Sequence, residues 1–288
     1  MEQAVLTADA MPWDVGTGGN LSVTRAAYLD VSGNDERLGT GSAGRAGNDL
    51  DLFRRLMRAG VEARFEPELL VLHERTTPDE YRSRCWAYGF GIGVSVTHLL
   101  ARGDTGAWRV LFAWIAMRVR GFVATRRPRA LVAEVRVVLG TVHGALPWRP
   151  AALEAVRSGS QGVTRWDDLL LAPTPTRAVP AQPPTLSVLV PAYNAAGTTG
   201  DALESASVQR PPPLEVVVSE DGSEGDLDRA LTGFGDRIRV VRGPNRGLPT
   251  ARNPFRFGLS SQDLAEAVLG VRDPLYPLIV GARVHVPA

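Results

Sequence analysis

Ser187-Val188-Leu189-Val190-Pro191-Ala192-Tyr193-Asn194 opens the stretch whose reading decides the fold. Leu186 to Val190 is a short apolar run of the kind that forms a buried parallel strand. A second run, Leu214 to Val218, follows after about a helix length, so strand, helix, strand reads as a βαβ unit. That second run leads into Ser219-Glu220-Asp221-Gly222-Ser223, and a third distinctive piece, Asn245-Arg246-Gly247-Leu248-Pro249-Thr250-Ala251-Arg252-Asn253, lies downstream. Ligands of open parallel sheets bind outside the carboxyl ends of the strands, where the first two pieces place their loops.

Upstream of this unit, five prolines fall between Pro173 and Pro184, which blocks helix and central strand alike and marks a semi-extended linker. Further back, Trp13 to His73 has the pattern of a second α/β unit. It opens with Gly16-Thr17-Gly18-Gly19-Asn20. Leu52, Phe53, Leu56 and Met57 recur at helical spacing, which predicts a helix over Asp49 to Ala59 with Asn48 as its cap and Gly60 as its end. Phe65-Glu66-Pro67 reads as a turn, and Leu69 to Leu72 as a buried strand ending at His73. Thr77 to Val142 lacks strand signals and is helical in pattern, with Trp108, Phe112, Trp114 and Phe122 interleaved among arginines. Two readings of it stand side by side: helices on an anionic membrane surface, or an amphipathic appendage packed on the α/β unit. The tail from Pro254 to Ala288 has weak patterning.

The three pieces between Thr185 and Asn253 resemble, in order, the opening strand, the second strand with its acidic pair, and the Ala-Arg-Asn motif of family 2 glycosyltransferases. The resemblance implies a nucleoside diphosphate sugar as donor, with Pro191, Tyr193, Asp221 and Arg252 in the nucleotide site. Tyr193 would stack on the base, Asp221 would accept from a uracil-like imide, and Arg252 would face the diphosphate. Taken singly, Asp221 is equally a turn residue and Tyr193 a packing residue. Pro12 to Trp86 is similar to the other half of the same family's domain: Gly18-Gly19-Asn20 to its acceptor-side loop, Asp35 to Gly39 to its next helix, Gly47 to Leu52 to the start of its catalytic helix, and Pro67 to Glu74 to its closing strand. By that likeness Gly19 and Asn20 bind substrate, Asp49 is the base that deprotonates the acceptor hydroxyl, and His73 serves the metal or diphosphate. Asn48 stands where the family usually has Glu, and Asp49 and Asp51 also complement the helix dipole without any chemistry.

The family's fold is the GT-A type, so the expected class is α/β: partial Rossmann-like halves around a helical middle region. The parts run 12–86, the C-terminal half of one domain; 87–150, a helical appendage; 151–184, the linker; 185–253, the nucleotide-binding half of another domain; and 254–288, a divergent tail. The cofactor implied is a divalent cation, Mg or Mn, held in the family by an Asp-x-Asp cluster. After Asn253 only isolated Asp263 and Asp273 occur, so its ligands are largely missing. The partners implied are a nucleoside diphosphate sugar and a glycan or lipid-linked acceptor; the first of the two readings of the helical middle would add peripheral membrane contact.

Composition bounds the remaining choices. The 288 residues are 44% hydrophobic, enough for one large or two small domains. Thirty-two basic residues against 31 acidic ones give a net charge of +1, so no global field draws the chain to nucleic acid. A single cysteine, Cys85, excludes an internal disulfide and a cysteine-based zinc cluster. Met1 to Ala10 lacks a signal-peptide pattern, and the longest apolar run, Val110 to Met117, is closed by Arg109 and Arg118 and is too short to span a bilayer. The expected location is the cytoplasm, with the helical middle at the membrane's cytoplasmic face. Three accounts of the reversed halves follow: the junction of a tandem transferase, cut or frame-shifted near Pro254; a circular permutant; or a noncatalytic module that binds a nucleotide or a partner.

Overall fold

The computed structural model describes residues 4–73, 77–125, 128–157, 186–209, 212–253 and 278–285, with backbone alone for 4, 66–73, 125, 128–130, 147–157 and 278–285. The described residues form two compact units. One comprises residues up to Gly39, from Ala43 to Arg157, and a strand near the C-terminus; the other comprises Thr40–Ser42 and residues 186–253.

The first unit is built on a mixed sheet of four strands, β1 (Ala4–Leu6), β2 (Leu21–Val23), β3 (Ala63–His73) and β7 (Leu278–His285), in the order β1-β3-β7-β2. β3 and β7 are parallel, and β1 and β2 run antiparallel to their neighbours. The expected turn at Phe65-Glu66-Pro67 is instead a register shift inside one continuous strand: Glu66 pairs with Gly281 and Leu70 with Ala282. Pro67 has no N–H to give a ladder, so an irregularity at that point costs the sheet little. β7 falls in the tail that carried weak patterning. Its one local signal is the run Leu278-Ile279-Val280.

On this sheet's chain the short helices α1 (Pro12–Val15) and α2 (Arg25–Asp30) precede α3 (Asn48–Arg58). Leu52, Phe53, Leu56 and Met57 of α3 are buried, as their spacing predicts. The helix ends in a Schellman motif: Gly60, at φ 82°, donates to Met57 O and Val61 to Leu56 O, both at 3.0 Å. Its start differs from expectation. Asn48 lies inside the helix and Gly47, at φ 87°, is the cap residue, because a Cβ there would meet Ser95 Oγ at 2.5 Å and the Gly91 carbonyl at 2.8 Å. Asp35 to Gly39, expected as a helix, forms turns, and Asp35 is taken up by arginines.

Three long helices complete the unit: α4 (Pro78–Ala101), α5 (Ala107–Thr125) and α6 (Pro128–Arg157). α4 starts on a capping box in which Thr77 Oγ1 accepts from Glu80 N and the Glu80 carboxylate accepts from Thr77 N. Cys85, Ile92, Val96 and Leu99 of α4 share a core with Ala107 and Trp114 of α5 and Ala133 and Val137 of α6. α4 and α6 run parallel and meet backbone to backbone. A Cβ on Gly89 would lie 1.9 Å from the Val137 carbonyl, on Gly93 2.1 Å from that of Thr141, on Gly140 2.2 Å from that of Trp86, and on Gly144 2.2 Å from that of Phe90. Among the described residues no helix is long and apolar enough to cross a membrane.

The polar interior of this unit is a chain of ion pairs. Arg54 makes a two-pronged pair with Asp104 at 2.7 and 3.1 Å, and Arg55 donates to Asp51 Oδ2 at 2.8 Å. Arg102, which caps α4, reaches Asp51 Oδ1 at 3.3 Å and Asp35 Oδ2 at 3.0 Å, and Arg37 holds Asp35 at 2.9 and 2.6 Å. Burial pushes the Asp35 carboxyl up, but the hydrogen bond from Arg37, His98 Nδ1 at 3.3 Å and the charge of Arg102 outweigh it and hold the group well below the usual carboxylate range.

The second unit is a three-stranded parallel sheet, β4 (Ser187–Ala192), β5 (Glu215–Asp221) and β6 (Arg239–Gly243), in the order β4-β5-β6. Helices α7 (Ala196–Ser207) and α8 (Leu227–Leu231) bring Leu203, Ala206, Leu227 and Leu231 against Val216 and Val218. A short α9 (Leu248–Ala251) follows. The fold is therefore mixed α/β, with a partial Rossmann-like half at 187–243. The Pro-rich linker, Asp263 and Asp273 lie outside the described residues.

Replacing Gly140 by Ala is expected to destabilise the protein by about 1–3 kcal/mol through the clash with the Trp86 carbonyl. Gly121→Ala on α5, where the nearest atom to a Cβ is 4.0 Å away, is expected to stabilise by about 0.5–1 kcal/mol. Urea unfolding of the two variants checks the opposite signs. Acid provides a second test. A carboxyl whose folded-state pKa is depressed contributes its full stability above its unfolded pKa of about 4, and that contribution is lost as pH falls below it. Unfolding free energy measured from pH 6 down to pH 3 is expected to fall, and Asp35→Asn is expected to lower it at pH 6 while flattening the slope.

Candidate functional site

Asp221 is the centre of the second unit's loop cluster. It ends β5, is buried, and uses both carboxylate oxygens on backbone donors: Oδ1 accepts from Arg246 N at 2.8 Å and Oδ2 from Gly247 N at 2.9 Å. These bonds draw the segment before α9 over the end of β5. Gly222, at φ 72°, allows the close approach, since a Cβ there would lie 2.5 Å from Asn245 N. Glu220 turns its carboxylate onto Ser223 N, which tightens the same turn.

The loop after β4 is latched to the loop after β5. Asn194 N donates to Ser223 Oγ at 3.0 Å, and Glu224 N donates to Asn194 Oδ1 at 2.8 Å. Asn194 takes a left-handed conformation, φ 49°, which Asn tolerates better than most residues. Tyr193 is left 49% exposed beside this latch, and Pro191, half-buried, pairs with Ser219 in the ladder. Arg252 is half-buried just after α9, and Thr250 and Asn253 are buried around it. Pro191, Tyr193, Asp221 and Arg252 thus lie at or beyond the carboxyl ends of parallel strands or on the loop that Asp221 clamps.

In the first unit, Asp49 sits in the first turn of α3 and its Oδ2 accepts from Gly18 N at 2.9 Å. That bond brings the helix start to the loop that carries Gly19 and Asn20. Gly19 is exposed there, and Asn20 N closes the turn by donating to Thr17 O at 3.3 Å. Asn48 is buried with its Nδ2 lacking a hydrogen-bond partner. His73 ends β3 with only its backbone described, so its side chain lies outside the described part. Among the described residues no group of three or more His, Cys, Asp and Glu side chains could hold a metal ion.

The reading from sequence did not single out Asn194, Ser223 and Glu220 as a latch. Asn-x-x after a strand and Glu-Asp-Gly-Ser are local signals, but their pairing joins residues about thirty positions apart, which no local pattern reveals.

Comparison with known proteins falls on this second unit. Residues 187–255 match the family model described as Glycosyl transferase family 2. Over 72 residues the chain is 35% identical to an uncharacterized glycosyltransferase of Rickettsia felis (strain ATCC VR-1525 / URRWXCal2), covering 24% of this chain and 12% of that protein. Over 70 residues it is 31% identical to an uncharacterized glycosyltransferase of Rickettsia prowazekii (strain Madrid E), covering 24% of this chain and 22% of that protein. The matched segment thus spans less than a quarter of either relative's length. No solved structure gives a significant match. Residues 187–255 are similar to part of a glycosyl transferase family 2 domain, and within them 187–253 form a parallel sheet with its loops clamped at the carboxyl end.

Proposed function

We propose that the chain serves sugar transfer from a nucleoside diphosphate donor, with residues 187–253 binding the nucleotide. The observation that carries this reading is the clamped carboxyl end of the parallel sheet, with Tyr193 exposed beside it. Tyr193 stacks on the base. Asp221 has two lone pairs on each oxygen, so the bonds from Arg246 and Gly247 leave acceptor capacity for a base imide. Arg252 supplies charge toward the diphosphate. In the transfer, an acceptor hydroxyl attacks the anomeric carbon, its proton passes to a carboxylate, and the bond from that carbon to the diphosphate oxygen breaks with the electron pair leaving on the diphosphate. The family likeness of the first unit gives Asp49 the part of such a carboxylate in that half-domain, with Gly18 N holding its Oδ2.

The family's divalent cation would neutralise the leaving diphosphate, and the described residues hold no ligand cluster for it, so no step is routed through a metal. By the same reading, this chain alone turns over little or no nucleotide sugar, because the sequence after Asn253 carries only isolated Asp263 and Asp273 in place of the family's acidic cluster. The acceptor is proposed as a glycan or lipid-linked hydroxyl.

Calorimetric titration of the full chain with uridine, thymidine, adenosine and guanosine diphosphates is expected to favour the first two. Tyr193→Ala is expected to cost about 1–3 kcal/mol, roughly a 5- to 150-fold rise in Kd, from lost stacking. Asp221→Asn keeps the size of the side chain but turns one acceptor into a donor, and is expected to erase the preference for uridine. Indifference to both substitutions would remove the site from these residues. For transfer itself, radiolabelled donor incubated with the purified chain and Mg or Mn is expected to yield no product above background; metal-dependent transfer abolished by Asp49→Asn would show that the chain is a complete enzyme.

A further inference from the structure

The helices α5 and α6 each carry an apolar stripe that is exposed among the described residues. At 100° per residue, Trp108, Phe112, Val119 and Val123 fall within one narrow sector of α5, and all four are exposed, Phe112 at 65%. Leu131, Val135, Leu139, Val142 and Leu146 fall within one sector of α6, exposed to as much as 70% at Leu146. Each stripe lies opposite the face that its helix packs on α4, where Trp114, Ala133 and Val137 are buried.

Charge borders the stripes. Arg109 and Arg120, both exposed, lie along one margin of the stripe on α5, Arg109 also pairing with Asp9 at 3.8 Å, and Arg136 and His143 lie along one margin of that on α6. From Ala107 to Arg149 the sequence holds eight arginines and one acidic residue, Glu134. Glu134 does not reach the stripe. It pairs with Arg118 at 3.7 Å on the inner side, and both are four-fifths covered. The chain as a whole is nearly neutral, so this segment concentrates positive charge that the rest of the sequence balances.

We infer that α5 and α6 lie on an anionic lipid surface, their apolar stripes at the acyl boundary and their bordering arginines among the headgroups. Apolar residues on one sector with arginines on its margin are what an interfacial helix requires. The charge selects the occupant: a second copy of this chain would set Arg109, Arg120 and Arg136 against their like, whereas an anionic bilayer is complementary to them. Neither helix is long and apolar enough to cross, so the contact is in the plane of the interface. This inference is independent of nucleotide binding, which rests on the second unit.

The test is co-sedimentation of the full chain with vesicles of phosphatidylglycerol and of phosphatidylcholine, alongside sedimentation velocity without lipid. The expected result is binding to phosphatidylglycerol vesicles alone, weakened as salt rises. The pair Phe112→Asp and Leu139→Asp, both exposed in the free protein, is expected to abolish it with circular dichroism unchanged. Arg120→Glu with Arg136→Glu is expected to weaken it about ten-fold or more. Equal binding to both vesicle types, insensitivity to salt, or no binding at all overturns the inference. So does self-association without lipid that the Leu139→Asp substitution abolishes, which would assign the stripe to a second copy.

Discussion

Two aspartates with no access to water, Asp51 and Asp104, govern the first unit. A carboxylate buried without a partner costs several kcal/mol, so each must be met by cations held in a fixed geometry. Arg54 and Arg58 of α3 meet Asp104 in the connection between α4 and α5, and Arg55 and Arg102 meet Asp51. Arg102 then passes the constraint on to Asp35. The result is that α3, the end of α4 and the turn at Asp35 have one mutual arrangement in which every charge is paired. Asp49 inherits that arrangement, since it lies two residues from Asp51 on the same helix, and Gly47 and Gly91 let the helix start press against α4.

The second unit solves a similar problem with different donors. Asp221 is nearly as buried as those aspartates, yet the hydrogen bonds to its carboxylate oxygens come from the peptide groups of Arg246 and Gly247. Peptide donors carry no long side chain to immobilise. A residue satisfied in this way is a loop clamp, and the contact with a base proposed for it uses lone pairs that the clamp leaves over. The structural and chemical readings of Asp221 are therefore compatible rather than alternatives.

Much of this was legible in the sequence where the signal is local. The apolar periodicity of α3, the glycine that ends it, and the runs that become β4 and β5 depend on neighbours a few positions away. Where long-range packing decides, the sequence misled or was silent. Asn48 is a good cap by type, but the close approach of α4 demanded a glycine in the left-handed region at position 47. Asp35 to Gly39 has residues compatible with a helix, and the pull of Arg37 and Arg102 on Asp35 makes it a turn. β6 is short and half-exposed, with Arg239 and Arg242 inside it, so its apolar content is too low to announce a strand. β7 gains its partners from segments more than two hundred residues earlier. The roles proposed for Asp49, Tyr193 and Arg252 rest on family likeness, because one carboxylate, one ring and one guanidinium have no distinctive pattern alone.

The seam between α4 and α6 has a consequence for how this part of the protein forms. Gly89, Gly93, Gly140 and Gly144 are the poorest helix formers short of proline, and each weakens its own helix by about 0.5–1 kcal/mol relative to alanine. Neither helix gains anything from these positions until the other is against it, when the absence of side chains becomes the contact. Helix formation and helix docking are thus one event. α5 is the connection between the two and shares their core, so it is carried in the same event. The three helices, some seventy residues, behave as a single cooperative folding unit that is present or absent as a whole.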